Sequence, residues 1–175
     1  TRPLTLTEKM IQDLRRQIRA LRPIYLEELG LSAALEMLAQ ESSQSNGVLV
    51  SFRRSGVELR LDETVELAFY RIAQEALSNV TRHANAKTGV VELAFRPQVV
   101  SLSIQDDGVG FQAPRTPAEL AIEGHFGLLG ISERADFTGA VLEIQSAPGK
   151  GSKLTVEYAL PALEVGETPA LGKNA

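Results

Sequence analysis

The 175-residue chain contains no cysteine, which excludes a disulfide scaffold and any thiolate metal site and agrees with a reducing compartment. It has no tryptophan, and aromatic residues make up only 5%, so a ring-stacking platform for single-stranded nucleic acid has little to be built from. Basic residues are not in excess either. The 18 Lys+Arg stand against 22 Asp+Glu, a formal charge of −4, and that leaves no electrostatic footprint for duplex nucleic acid. No apolar run approaches the roughly eighteen residues of a membrane span, and no charged, apolar, then small-residue leader opens the sequence. The expectation is a soluble piece without a nucleic-acid partner or membrane contact of its own. Its length suits one domain of ordinary size with a short appendage.

Along the chain, Met10, Leu14, Ile18 and Leu21 recur at helical spacing with Arg15, Arg16, Gln17 and Arg19 between them, which predicts an amphipathic helix over about Thr7 to Leu21. Pro23 stops or restarts it. A second helix fits Leu31, Ala34, Leu35, Leu38 and Ala39, and residues 41–47 read as a polar connector. A domain boundary is expected there, with residues 1–46 as a helical preface, 47–160 as the main domain and 161–175 as a tail. The preface is either an ordinary helical hairpin packed on the domain or part of a dimerising bundle. A strand is expected at Val48 to Phe52, a long helix from Asp62, and an antiparallel strand pair over 90–95 and 99–104 around Arg96-Pro97-Gln98. A loop without periodicity runs from Phe111 to Phe126, of a length that usually marks a lid or binding loop. A helix opening at Gly127 and two strands, Ala140 to Ile144 and Lys153 to Tyr158, complete the pattern.

Three features carry chemistry. Glu75, Asn79 and Arg82 fall within one narrow sector of the long helix at about 100° per residue, a polar stripe amid apolar neighbours. Asp106-Asp107-Gly108-Val109-Gly110 stands at the end of the alternating run Val100, Leu102, Ile104, where two glycines let the backbone turn tightly and come close to a ligand. A carboxylate there can accept hydrogen bonds from an exocyclic amino group. An ordinary Asp-Gly turn would produce the same motif, so its weight comes from the other features. Gly127-Leu128-Leu129-Gly130 opens a helix whose free amides favour a bound anion, phosphate above all. The amide oxygen of Asn79 is a hard neutral ligand that suits Mg²⁺.

Residues 71–84 (RIAQEALSNVTRHA), Asp106 to Phe111, residues 124–134 (GHFGLLGISER) and Gly149-Lys150-Gly151-Ser152 together resemble the four nucleotide-binding boxes of sensor histidine kinases, in particular the subfamily that pairs with regulators of the nitrate-response type. The likeness covers roughly Val48 to Leu160. It implies an α+β fold of the Bergerat type, a two-layer α/β sandwich with a mixed, mainly antiparallel sheet covered by helices on one face and preceded by a short helical segment. It implies ATP and Mg²⁺ as cofactors. Asp106 would bind the adenine amino group, with Asp107 as its competitor, and Gly108 and Gly110 would shape the adenine pocket beside Ser152, which stands where the family usually has Thr. Asn79 would coordinate Mg²⁺, Glu75 would act as general base and Arg82 would approach the phosphates. Gly127, Leu128 and Gly130 would present phosphate-binding amides at the end of a lid.

Residues 19–35 resemble the end of that subfamily's dimerisation and phosphoacceptor region. The phosphoacceptor helix, marked by a His followed by an acidic residue, has no counterpart before Thr7. Of the two histidines in the chain, His83 lies within the helix box and His125 beside the lid. Both are candidate nucleotide contacts by position, and neither is placed as a phosphate carrier. The resemblance therefore implies a cytoplasmic protein-histidine kinase fragment that does not phosphorylate itself alone. Its partners would be the missing phosphoacceptor helix, a second copy of the parent and a response regulator. The alternatives are a nucleotide-gated binding module and a serine kinase that sequesters a sigma factor.

Overall fold

The computed structural model describes residues 24–113 and 126–161. The helix expected over Thr7 to Leu21, most of the expected lid including His125, and the tail beyond residue 161 lie outside the described residues.

Helix α1 spans Ile24–Asn46 and is two helical runs joined across Gly30, whose φ of 84° and ψ of 175° are not helical. Its apolar residues Leu31, Ala34, Leu35, Leu38 and Ala39 are buried in the same core as the sheet. The polar connector expected over 41–47 is instead helix as far as Asn46. Local bonding explains the difference: the Ser42 hydroxyl donates to the Leu38 carbonyl (2.8 Å). The Ser43 hydroxyl donates to the Val50 carbonyl (3.1 Å) and accepts from the Val50 N–H (2.7 Å). Serines that would favour a turn in isolation thus tie the helix end to the next strand.

That strand is β1, Leu49–Ser55, followed by helix α2 over Glu63–His83. Asp62 caps α2, its Oδ1 accepting from the Thr64 N–H at 2.8 Å. Glu63 and Glu66 in the first turn and Arg82 and His83 in the last complement the helix dipole. The face of α2 formed by Val65, Phe69, Ile72, Ala73, Ala76, Leu77 and Val80 is buried. Phe69 and Ile72 are fully enclosed, each worth about 1.5–3 kcal/mol of apolar burial.

Strands β2 (Thr88–Phe95) and β3 (Val99–Asp106), helix α3 (Phe126–Thr138) and strands β4 (Val141–Ser146) and β5 (Ser152–Ala159) complete the described elements. The sheet order is β1-β2-β3-β5-β4, with β1 and β2 parallel and every other pair antiparallel. The expected α+β layering with a mixed, mainly antiparallel sheet is what forms. Cross-strand rows such as Val91, Ile104, Leu154 and Ile144 line up on the helix-covered face. On the opposite face Arg53, Glu92, Gln105, Glu143 and Gln145 are exposed. Sheet register also pairs Asp106 with Ser152 at the mouth of the sandwich, beside the polar C-terminal half of α2.

Candidate functional site

At that mouth lies a cavity of about 490 Å³ bounded by the C-terminal half of α2, the end of β3, the start of β5 and the start of α3. Apolar side chains, among them Ala76, Val80, Ile104, Ile144 and Leu154, form part of its wall. Its polar groups collect at two ends.

At one end stands Asp106, 6% exposed. Its Oδ1 accepts from the Gly108 N–H at 2.8 Å and its Oδ2 from the Ser152 hydroxyl. Both bonds hold the carboxylate in place while leaving acceptor capacity for a donor from the cavity. The loop that follows is clasped to the β4–β5 turn. The Gly149 N–H donates to the Val109 carbonyl (2.6 Å), and the Phe111 N–H donates to Ser146 Oγ (2.9 Å), whose own proton goes to the Gly151 carbonyl (2.9 Å). Gly110 sits at φ 61°, and a Cβ there would run into the Ala147 carbonyl.

Asp107, next in sequence, does something different. Its Oδ1 accepts from the N–H groups of Lys87 and Thr88 (2.8 Å each) and its Oδ2 from the Thr88 hydroxyl (2.9 Å). These bonds, from the backbone and then the hydroxyl of Thr88 first and Lys87 after, hold its carboxyl below the ordinary 3.8. Asp107 staples the α2–β2 connection and does not line the cavity.

The exposed Arg82 and His83 end α2 beside Ala84, whose carbonyl accepts from the Val109 N–H at 2.8 Å, and the half-buried Glu75 and Asn79 stand at the other end; all four line the cavity. Gly127 and Leu128 face Glu75 and Asn79 from the first turn of α3, where backbone N–H groups have no intrahelical partner.

Residues 64–162 match the family model described as the histidine kinase-, DNA gyrase B-, and HSP90-like ATPase. The chain belongs to that family. Among similar proteins are an uncharacterized sensor-like histidine kinase of Chloroflexus aurantiacus and the oxygen sensor histidine kinase NreB of Staphylococcus carnosus. The first is 35% identical over 82% of this chain and 25% of its own length, and the second 30% over 85% and 42%. The chain thus spans well under half the length of these relatives. Among solved structures, the ATP binding domain of PrrB from Mycobacterium tuberculosis superimposes with a TM-score of 0.55 at 19% identity, covering 75% of this chain and 95% of that one. At that identity the likeness is one of fold.

In this member of the ATPase family, the cavity brings together Glu75, Asn79, Arg82, His83, Asp106, Gly110, Gly127, Leu128 and Ser152. Gly108 and Gly130 do not line it. Gly108 is set back against the Ala84 carbonyl at the end of α2, and Gly130 against the guanidinium of Arg134, which donates to its carbonyl at 2.6 Å. His125 lies outside the described residues. Ser146, the pin between the two loops, was not singled out in the sequence, although it shares the inward parity of Leu142 and Ile144 that could have marked it.

No group of three or more His, Cys, Asp or Glu side chains among the described residues could hold a metal ion by itself. The donors that do line the cavity, the Asn79 amide and the Glu75 carboxylate, fit Mg²⁺, an ion that takes few protein ligands and completes its shell with phosphate oxygens and water. No helix among the described residues is long and apolar enough to cross a membrane.

Proposed function

We propose that this chain is the ATP-binding catalytic part of a two-component sensor histidine kinase, transferring the γ-phosphoryl group of ATP to a histidine on a helix outside it, for relay to a response regulator. The observation that carries the reading is the cavity, which brings a fixed buried carboxylate together with a carboxylate, an amide and an arginine on α2 and with the first-turn amides of α3. The adenine amino group donates to Asp106, which Ser152 and Gly108 orient. The triphosphate extends along α2, past Arg82 and on to the amides of Gly127 and Leu128, which stabilise its charge. Asn79 would hold Mg²⁺, which when bound would supply positive charge against the phosphates. As the acceptor imidazole forms its N–P bond and the bond from γ-phosphorus to the bridging oxygen breaks, Glu75 accepts the proton released from the ring and ADP leaves.

In this reading residues 47–160 form the nucleotide-binding unit and 161–175 a tail. Residues 1–46 carry the end of the dimerisation and phosphoacceptor helices of a dimeric parent, with α1 docked on the unit's core. The working compartment is the cytoplasm, where ATP is available. The names of the relatives, sensor histidine kinases at 30–35% identity, support it.

The test uses γ-labelled ATP with Mg²⁺. The chain alone should retain no acid-labile label, whereas a histidine-bearing phosphoacceptor helix from a related sensor kinase, supplied in trans, should be labelled. Glu75→Ala should lower that labelling by about 100-fold. Label retained on this chain and lost in His83→Ala or His125→Ala would overturn the reading.

A further inference from the structure

The start of α3 approaches α2 so closely that a Cβ at Gly127 would require the Glu75 side chain to shift. A Cβ placed at Gly127 would lie 2.5 Å from Glu75 Oε1 and 3.3 Å from both terminal atoms of the Asn79 amide. Comfortable separations between non-bonded heavy atoms are about 3.5–4.0 Å. Unlike Gly110, Gly127 is not among the residues with positive φ, so its backbone is one that any residue adopts. Conformation does not call for glycine here, and neither does helix propensity, since alanine is the better helix former. What calls for it is the carboxylate of Glu75.

We propose that Gly127 is a positioning residue whose bare α-carbon forms the seat of the Glu75 carboxylate. Glu75 is half-buried on α2, with a flexible side chain that would otherwise sample several rotamers. Against Gly127 it is confined beside the first-turn amides of α3, where the helix dipole favours a negative group. The base and the amides that hold phosphate are thereby set in one geometry, so that a shift of α3 moves both together. The seat itself follows from the contact, while its catalytic consequence rests on the kinase reading above.

The experiment combines Gly127→Ala with Glu75→Ala and Glu75→Asp, reading melting temperature, Mg²⁺-free ADP affinity and labelling of the trans phosphoacceptor helix. Gly127→Ala should raise the melting temperature less, or lower it more, in the parent chain than in the Glu75→Ala background, where the obstructing carboxylate is gone. Should Gly127→Ala alone fail to fold, recovery of folding by Glu75→Ala makes the same point. Labelling should fall at least tenfold in Gly127→Ala, more than ADP affinity falls. Glu75→Asp, one methylene shorter, should restore part of that loss in the Gly127→Ala background although it lowers labelling on its own. A melting temperature that responds to Gly127→Ala equally in both backgrounds overturns the seat, as does labelling that survives the substitution. If the parent chain labels no helix at all, the kinase reading fails, and the melting temperatures still decide whether Gly127 seats Glu75.

Discussion

The two ends of the cavity are built to different standards of order. At the Asp106 end the carboxylate is 6% exposed, bonded on both oxygens, and surrounded by two loops clasped through Gly149, Val109, Phe111, Ser146 and Gly151. At the α3 end Phe126 at the rim is 72% exposed, and Gly127 and Leu128 are only half-buried. A recognition element must be in place before its ligand arrives, because ordering it on binding would subtract from affinity. In the proposed kinase reading, an end that admits phosphates, a cation and an acceptor would not be closed in advance. The difference separates what the fold fixes from what the ligand has to complete.

The sharpest way to break this contrast is to loosen the ordered end. Gly110→Ala combines a left-handed backbone, worth roughly 1–3 kcal/mol of strain, with a Cβ driven against the Ala147 carbonyl, an overpacking of about 1–3 kcal/mol. Chemical denaturation should register a loss of about 3 kcal/mol. A change below about 1 kcal/mol would mean that the clasp yields readily and that the end is not rigid.

Next in size is Asp106→Asn. A buried charge-assisted hydrogen bond contributes about 1.5–3 kcal/mol, so calorimetric titration should show ADP binding weakened about ten- to a hundredfold. Equal losses from Asp107→Asn would erase the distinction between the neighbouring carboxylates.

At the open end, Asn79→Ala should leave Mg²⁺-free ADP binding unchanged and remove the gain in affinity that Mg²⁺ brings. The effect is smaller because water and phosphate oxygens keep the rest of the metal's shell. A Mg²⁺ gain that persists in the variant would count against Asn79 as a ligand.

The smallest effect belongs to Asp107. Its pKa is lowered in the folded chain, chiefly by Thr88. The stabilisation is therefore present above the ordinary 3.8 and is lost as pH falls through the lower folded value. Asp107→Asn should be slightly less stable than the parent at neutral pH, with the gap closing in thermal melts below that range. A gap independent of pH would mean that the carboxylate charge is not what the Thr88 bonds hold.

Much of this arrangement was legible in the residue pattern, because the relevant signals were local. Alternation through Val100, Leu102 and Ile104 carries the inward parity to Asp106 and puts Asp107 out of phase, so the choice between the two carboxylates was already present in the strand period. The stripe of Glu75, Asn79 and Arg82 followed from helical spacing in the same way. What was hidden depended on tertiary partners. Ser42 and Ser43 read as turn formers, and only their bonds to Leu38 and to Val50 on β1 carry α1 to Asn46. The closeness of Gly127 to Glu75 joins residues on different helices, and no periodicity along the chain encodes it. Gly108 and Gly130 were matched by motif, yet neither lines the cavity: Gly108 abuts the Ala84 carbonyl and Gly130 the Arg134 guanidinium.

The most direct test of the central claim, a preformed acceptor end built to meet an amino group, is to compare binding of ADP, IDP and GDP to the unmodified chain by calorimetry. Hypoxanthine and guanine carry a carbonyl oxygen where adenine carries its amino group, and a carboxylate accepts but cannot donate. ADP should bind about ten- to a hundredfold more tightly than either of the others, with the preference reduced in Asp106→Asn. Equal affinity for all three, or no binding of ADP, would contradict the account.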